Sequence, residues 1–190
     1  MELLEGQTLK QLIEEKGSLS PERAARIVEQ VASALDYAHQ QGFVHRDIKP
    51  ANIFVGKDDR TTLADFGIAK AASETQHLTR TGMLIGTPEY MSPEQAEGSS
   101  VDYRTDLYAL GVVLYQMLAG RVPFQSTTPH ATLHAVIYEA PVPLRRVRQD
   151  LPPAIETVVL QAIEKRPERR YQSGLDLVEA LANASTSRGQ

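Results

Sequence analysis

Residues 45–52 read His-Arg-Asp-Ile-Lys-Pro-Ala-Asn, and thirteen residues past that Asn comes Asp65-Phe66-Gly67. Between the two motifs, Ile53-Phe54-Val55 and Thr61-Thr62-Leu63-Ala64 read as short strands. They flank the turn Gly56-Lys57-Asp58-Asp59-Arg60. A hairpin of that length returns the chain to its start, so both motifs fall on one edge of it. Asp47, Lys49, Asn52 and Asp65 are thereby brought together. Taken singly, each is an ordinary surface charge or a turn residue. As a set they can hold magnesium and a polyphosphate against a hydroxyl group. Asp47 is placed to accept or orient the hydroxyl proton. Lys49, two residues on in an extended loop, emerges on the same side and can reach a terminal phosphate. Asn52 and Asp65 supply hard oxygens that suit magnesium.

Both motifs resemble the catalytic loop and the metal-binding turn of protein kinases. Nearly the whole chain resembles the C-terminal lobe of a bacterial-type serine/threonine protein kinase. The resemblance implies ATP and Mg2+ as cofactors and a protein carrying a Ser/Thr acceptor as substrate. It makes Asp65 the main magnesium carboxylate, Asn52 the second metal ligand, and Asp47, Lys49 and Asn52 the catalytic set. Lys two residues after the Asp resembles the serine/threonine class; tyrosine kinases usually carry Arg at another spacing. Gly86-Thr87-Pro88-Glu89-Tyr90-Met91-Ser92-Pro93-Glu94 agrees, with Thr87 where that class places a hydroxyl near the catalytic Asp. Ser92 stands where the family usually has Ala, a mild departure that leaves Glu94 in place.

Further roles follow from the same resemblance. Arg46 reads a phosphate on the activation segment, for which Thr79 and Thr81 are equal candidates. Such a phosphate adds about −1.5 to −2 charge and can order a loop through arginine. Asp106 is buried under the backbone of His45 and Arg46, although a charge favoured by the helix dipole is also a sufficient reading of it. His45 stacks between Phe66 and Asp106 as a packing residue. Arg170 pairs with Glu94. Arg166 replaces the Asp of the family's Lys-Asp-Pro-x-x-Arg pattern. Phe54 lies where an apolar side chain floors the adenine. Met1–Gly6 looks like the hinge between two lobes, with Glu2 and Leu4 against the nucleotide. No Gly-rich phosphate loop or strand lysine occurs in these 190 residues. The implied partner in cis is therefore a missing N-terminal lobe, whose absence leaves an apolar face open.

Helical periodicity supports a mainly α-helical architecture, with short β-hairpins around the catalytic loop: a kinase-like fold, C-lobe only. The expected domain is 1–182, followed by a small polar tail at 183–190 that frays. Helices are expected over Thr8–Lys16, from Ser20-Pro21-Glu22 to about Gln41, and over Thr105–Ala119, His130–Tyr138, Ala154–Ile163 and Ser173–Leu181. Residues 68–92 lack helical period and read as the activation segment, and Ala140–Pro153 reads as a Pro- and Arg-rich loop. Net charge is −4, which leaves no nucleic-acid footprint, and there is no cysteine for disulfides or thiolate metal sites. The longest apolar run, Leu107–Leu118, is broken by Gly111 and Gln116 and is too short to span a membrane. The implied location is cytoplasmic. Two functions compete: a kinase catalytic lobe, inactive as an isolated fragment, and a non-catalytic lobe that binds partners through its helices.

Overall fold

The computed structural model describes residues 6–65 and 87–186. Strand β1 (Gln7–Thr8) leads directly into helix α1 (Leu9–Lys16). Thr8 makes that transition through a capping box: its hydroxyl accepts from the Gln11 amide at 3.2 Å, and Gln11 Oε1 accepts from the Thr8 amide at 2.9 Å. Helix α2 (Pro21–Gln40) starts on Ser20, whose Oγ accepts from the Arg23 amide, with Pro21 in the first turn. Ala24, Ile27, Val28, Val31, Leu35 and Ala38 form its buried stripe.

Strands β2 (Ile53–Val55) and β3 (Thr61–Leu63) follow, and the three strands form one antiparallel sheet in the order β1-β2-β3. Thr8 faces Phe54, and Phe54 faces Thr62. The polar face of α2 grips the far end of the hairpin. Arg23 and Arg26 each pair with Asp59 at 2.8 Å, and Gln30 accepts from the Thr61 amide. That clamp fixes the hairpin, and so the two loops at its other end.

The second half is helical: α3 (Pro93–Glu97), α4 (Arg104–Ala119), α5 (Pro129–Tyr138), α6 (Leu144–Val147), α7 (Pro153–Ala162) and α8 (Gly174–Thr186). Helix α4 is apolar on every side and buried throughout, from Leu107 to Leu118 apart from Gln116. It packs against α2, α6 and α7, and α8 closes over α2 and α7. Phe124, Ala135 and Val136 form a small separate cluster under α5. Gly111 lets α4 approach α7 closely, because a Cβ there would lie 2.8 Å from Ala162 Cβ and 3.0 Å from Ile163 Cγ2.

Several expectations need correction. The segment 140–153 is not all loop; it contains α6, which buries Leu144. The final helix does not stop at Leu181 but runs to Thr186, so residues 183–186 of the expected tail are helical. Ala184 is buried, and its apolar contact with the core explains the added turn. Helices α3 and α6 and strand β1 are too short for periodicity to reveal. No helix among the described residues is long and apolar enough to cross a membrane.

Gly111→Val should lower the melting temperature by several degrees. Overpacking at so close a helix contact costs about 1–3 kcal/mol, and each kcal/mol is worth about 2–4 °C at this chain length. A melting temperature equal to that of the parent would show that α7 can shift away freely.

Candidate active site

The loop after α2 hangs from one buried carboxylate. Asp106, in the first turn of α4, has no solvent exposure. Its Oδ2 accepts from the His45 amide at 2.8 Å, and its Oδ1 from the Arg46 amide at 2.7 Å. The His39 Nε2–H donates to the same carboxylate at 2.8 Å. Burying an unpartnered carboxylate is costly, so these three donors both stabilise Asp106 and locate the loop. Arg46 takes a left-handed backbone, with φ at 64°. That conformation is uncommon for a side chain of its size and turns the chain sharply before Asp47.

His45 is 1% exposed and faces two groups of fixed polarity. Its Nδ1 accepts from the Asp47 amide at 3.3 Å, and its Nε2 meets the Ala64 carbonyl at 3.1 Å. The ring is therefore the neutral Nε2–H tautomer and acts as a spacer between the loop and the end of the hairpin. Phe66 lies outside the described residues, as do Glu2, Leu4, Thr79 and Thr81.

Asp47 lies at the centre of the polar group. Lys49 has an extended backbone, and its ammonium meets Asp47 Oδ2 at 2.9 Å. Asn52, 7% exposed, donates its Nδ2 to the Asp47 carbonyl at 2.9 Å and to Asp47 Oδ2 at 3.2 Å. Both amide hydrogens thus turn toward Asp47, which leaves Oδ1 as the atom able to meet a cation. The Asn52 carbonyl accepts from the Ala64 amide at 2.9 Å, which ties Asn52 to the residue before Asp65. Asp65 is exposed and also left-handed, with φ at 56°. No group of three or more acidic, histidine or cysteine side chains placed to hold a metal ion occurs among the described residues. Magnesium held together with phosphate oxygens needs only one or two carboxylates, so the residues able to hold it here are Asn52, through Oδ1, and Asp65. Phe54 is half-buried in β2, one strand from the segment leading out of the expected hinge.

Thr87 is exposed just ahead of the 3-10 turn Pro88–Tyr90. From there the chain is bound to the helical body by Glu94. Arg170 Nη1 and Nη2 each donate to Glu94, to Oε1 and Oε2, at 2.8 Å, in a bidentate pair. The Arg170 side chain has no exposure. It also donates to the carbonyls of Glu164 and Lys165 and lies 4.8 Å over the Tyr108 ring. Thr105 adds a hydrogen bond to Glu94 Oε1 at 2.7 Å. Burial disfavours the Glu94 anion, but Arg170 and Thr105 outweigh it and hold the carboxyl below its usual range. Arg166 begins the 3-10 turn Pro167–Arg169 and gives it no side-chain cap.

Three contacts escaped the sequence reading. His39 is the third donor to Asp106, and nothing in its spacing sets it apart from other residues of α2. Lys165 donates to the Ala135 and Val136 carbonyls and lies 3.8 Å over the Phe124 ring, which pins α5. Gln95 joins α3 to the loop carrying Asp47 by donating to the Arg46 carbonyl; its signal was the Ser92-x-x-Gln95 capping pattern.

The protein kinase domain model matches residues 1–184. The chain belongs to the protein kinase family. It is 43% identical over 187 residues to a probable serine/threonine-protein kinase of Clostridium acetobutylicum, covering 98% of this chain and 28% of the relative. The serine/threonine-protein kinase PknB of Mycolicibacterium smegmatis is 42% identical over 178 residues, 93% of this chain and 28% of that protein. PknB of Mycobacterium tuberculosis is 39% identical over 178 residues, with the same coverage. This chain thus spans little more than a quarter of the length of these relatives.

Arg170→Leu should destabilise the chain by about 3–5 kcal/mol near neutral pH, because it strands a buried carboxylate. The folded-state value of Glu94 is lowered, so its contribution is complete above the unfolded value of about 4.3 and is lost as pH falls through the folded one. The stability gap between parent and variant should therefore narrow in acid. Denaturant melts across pH check this; a gap that stays constant into acid would exclude Glu94 as the source.

Proposed function

We propose that this chain supplies the catalytic lobe of a kinase that moves the γ-phosphoryl group of ATP to Ser or Thr hydroxyls of proteins. The observation that carries the reading is the convergence of Lys49 and Asn52 on the Asp47 carboxylate, over a loop held by Asp106. Magnesium-bound ATP supplies the phosphoryl group and neutralises charge on its oxygens. Asp47 orients the acceptor hydroxyl and takes its proton. Lys49, already beside Asp47, offsets negative charge at the acceptor side. Asn52 holds Asp47 through Nδ2 and offers Oδ1 to a cation, while Asp65 offers an exposed carboxylate. The resemblance assigns Thr87 a hydroxyl near Asp47 that would steady the substrate, and its exposure leaves it accessible for that role. The relatives described above are named as serine/threonine-protein kinases, the clostridial one as a probable one, which supports the acceptor class.

Regulation is proposed to act through Thr79 and Thr81. Arg46 adjoins Asp47 in sequence, so a phosphate recognised by Arg46 is coupled to the acceptor-binding carboxylate. Mass spectrometry of active kinase should find phosphate on at least one of the two, and a double Thr→Ala variant should be slow. Active kinase carrying neither modification would remove this control.

Transfer of radiolabelled phosphate to a generic Ser/Thr substrate tests the function. Joined to a small lobe, the chain should transfer in a magnesium-dependent way, and Asp47→Ala or Asp65→Ala should abolish it. The 190-residue chain alone should be slower by orders of magnitude. Its residues cover the acceptor and the metal, while reactant positioning as a whole can supply about 7–11 kcal/mol of a barrier. Robust transfer by the chain alone, lost on Asp47→Ala, would show that no small lobe is needed.

A further inference from the structure

Gln95 is buried, 6% exposed, yet it is neither part of the acidic set nor of the Glu94–Arg170 pair. Its amide has two jobs. Oε1 accepts from the Ser92 amide at 3.1 Å, which is one half of the α3 capping box. Nε2 donates to the Arg46 carbonyl at 3.1 Å. The orientation is fixed by the partners: a main-chain N–H can only donate and a carbonyl can only accept. The two partners are 46 residues apart and belong to different parts of the site. Ser92 ends the segment that follows Thr87. Arg46 is the left-handed residue that sets the direction of Asp47.

The geometry points to Gln95 as a positioning residue that couples the setting of segment 87–97 to the aim of Asp47, through the Arg46 carbonyl. Asp106 holds the two amides at His45 and Arg46 from one side. Gln95 holds the carbonyl of Arg46 from the other. The peptide unit that enters Asp47 begins at that carbonyl, so its tilt is set jointly by α4 and α3. A shift of α3 moves the Nε2 donor and lets that peptide rotate. This inference rests on the kinase reading for its catalytic consequence, but the bridge itself is independent of it.

Gln95→Glu separates the two jobs. Glutamate serves a capping box as well as glutamine, so α3 keeps its start. The far oxygen, however, faces the Arg46 carbonyl with no hydrogen when ionised. Burial and that facing oxygen favour the protonated carboxyl, which can donate as the amide did. With a small lobe present, Gln95→Glu should reduce kcat about tenfold near pH 8, with the KM for ATP little changed. Relative to the parent at the same pH, it should recover as pH falls toward about 6. Gln95→Met, of similar shape and with no donor, should be slow at every pH. A Gln95→Glu to parent ratio that is flat across pH, or a normal Gln95→Met enzyme, would overturn the coupling. If the parent itself transfers no phosphate, the kinase reading fails instead, and hydrogen exchange at residues 44–48 of the 190-residue chain decides the bridge. Faster exchange in Gln95→Met than in the parent supports it; equal exchange rules it out.

Discussion

The Asp106 carboxylate is the constraint on which the site depends. It is fully buried at the start of a helix that is itself buried, so its position is set by the core rather than by the loop. Its oxygens take the amides of His45 and Arg46 together with the His39 ring. A loop on a surface would be free to choose among conformers. Here the choice is made from below, because releasing either amide would leave buried charge less well solvated. His39 comes from the end of α2 and Asp106 from the start of α4, so the same carboxylate joins the two central helices to the loop between them.

The residue before Asp106 does a parallel task. Thr105 donates to Glu94 Oε1 and meets Ser92 Oγ at 2.7 Å. Because Thr105 gives its only hydrogen to Glu94, it accepts from Ser92. The chain of donors runs from Ser92 through Thr105 to Glu94, where Arg170 also arrives. Two consecutive residues of α4 thus hold the loop carrying Asp47 and the segment carrying Thr87. Gln95 closes the triangle by bonding one to the other. Partly satisfied polar networks are destabilising, whereas satisfied ones fix a single arrangement. The contacts among Ser92, Glu94, Gln95, Thr105 and Arg170 are of the second kind.

Much of this was legible in the sequence because it rests on local spacing. The α2 stripe, the α4 apolar run and the hairpin between Asn52 and Asp65 each follow from period or turn chemistry, and each lies within a residue or two of its expected bounds. Asp47, Lys49, Asn52 and Asp65, proposed to carry the chemistry, could be singled out because they fall within one short stretch. The long-range partners could not be derived from spacing. Glu94 and Arg170 are 76 residues apart, and only resemblance joined them in advance. His39 left no mark, and Lys165 showed only as the Lys of a motif without its partners, since their contacts come from where two helices end in space. Helix α6 and the last turn of α8 were missed because burial of Leu144 and Ala184 decides them, not periodicity.

The left-handed backbone at Arg46 and Asp65 shows how the parts combine. Each is a non-glycine residue with positive φ, at 64° and 56°, and each directs the chain at one side of the polar group. Sparsely populated conformers cost roughly 1–3 kcal/mol and persist only where the surroundings over-determine them. Arg46 is over-determined on its amide by Asp106 and on its carbonyl by Gln95. Asp65 follows Ala64, whose amide donates to Asn52 and whose carbonyl meets His45. Asn52 in turn donates to Asp47. The two strained residues are therefore not independent: the peptide bonds beside them share His45, Asn52 and Asp47 as intermediaries. Relaxing either one would move the hydrogen-bond partners of the other. Strain at both places is held by one network, which is why a carboxylate as short as Asp47 can be aimed by residues as far away in sequence as Gln95 and Asp106.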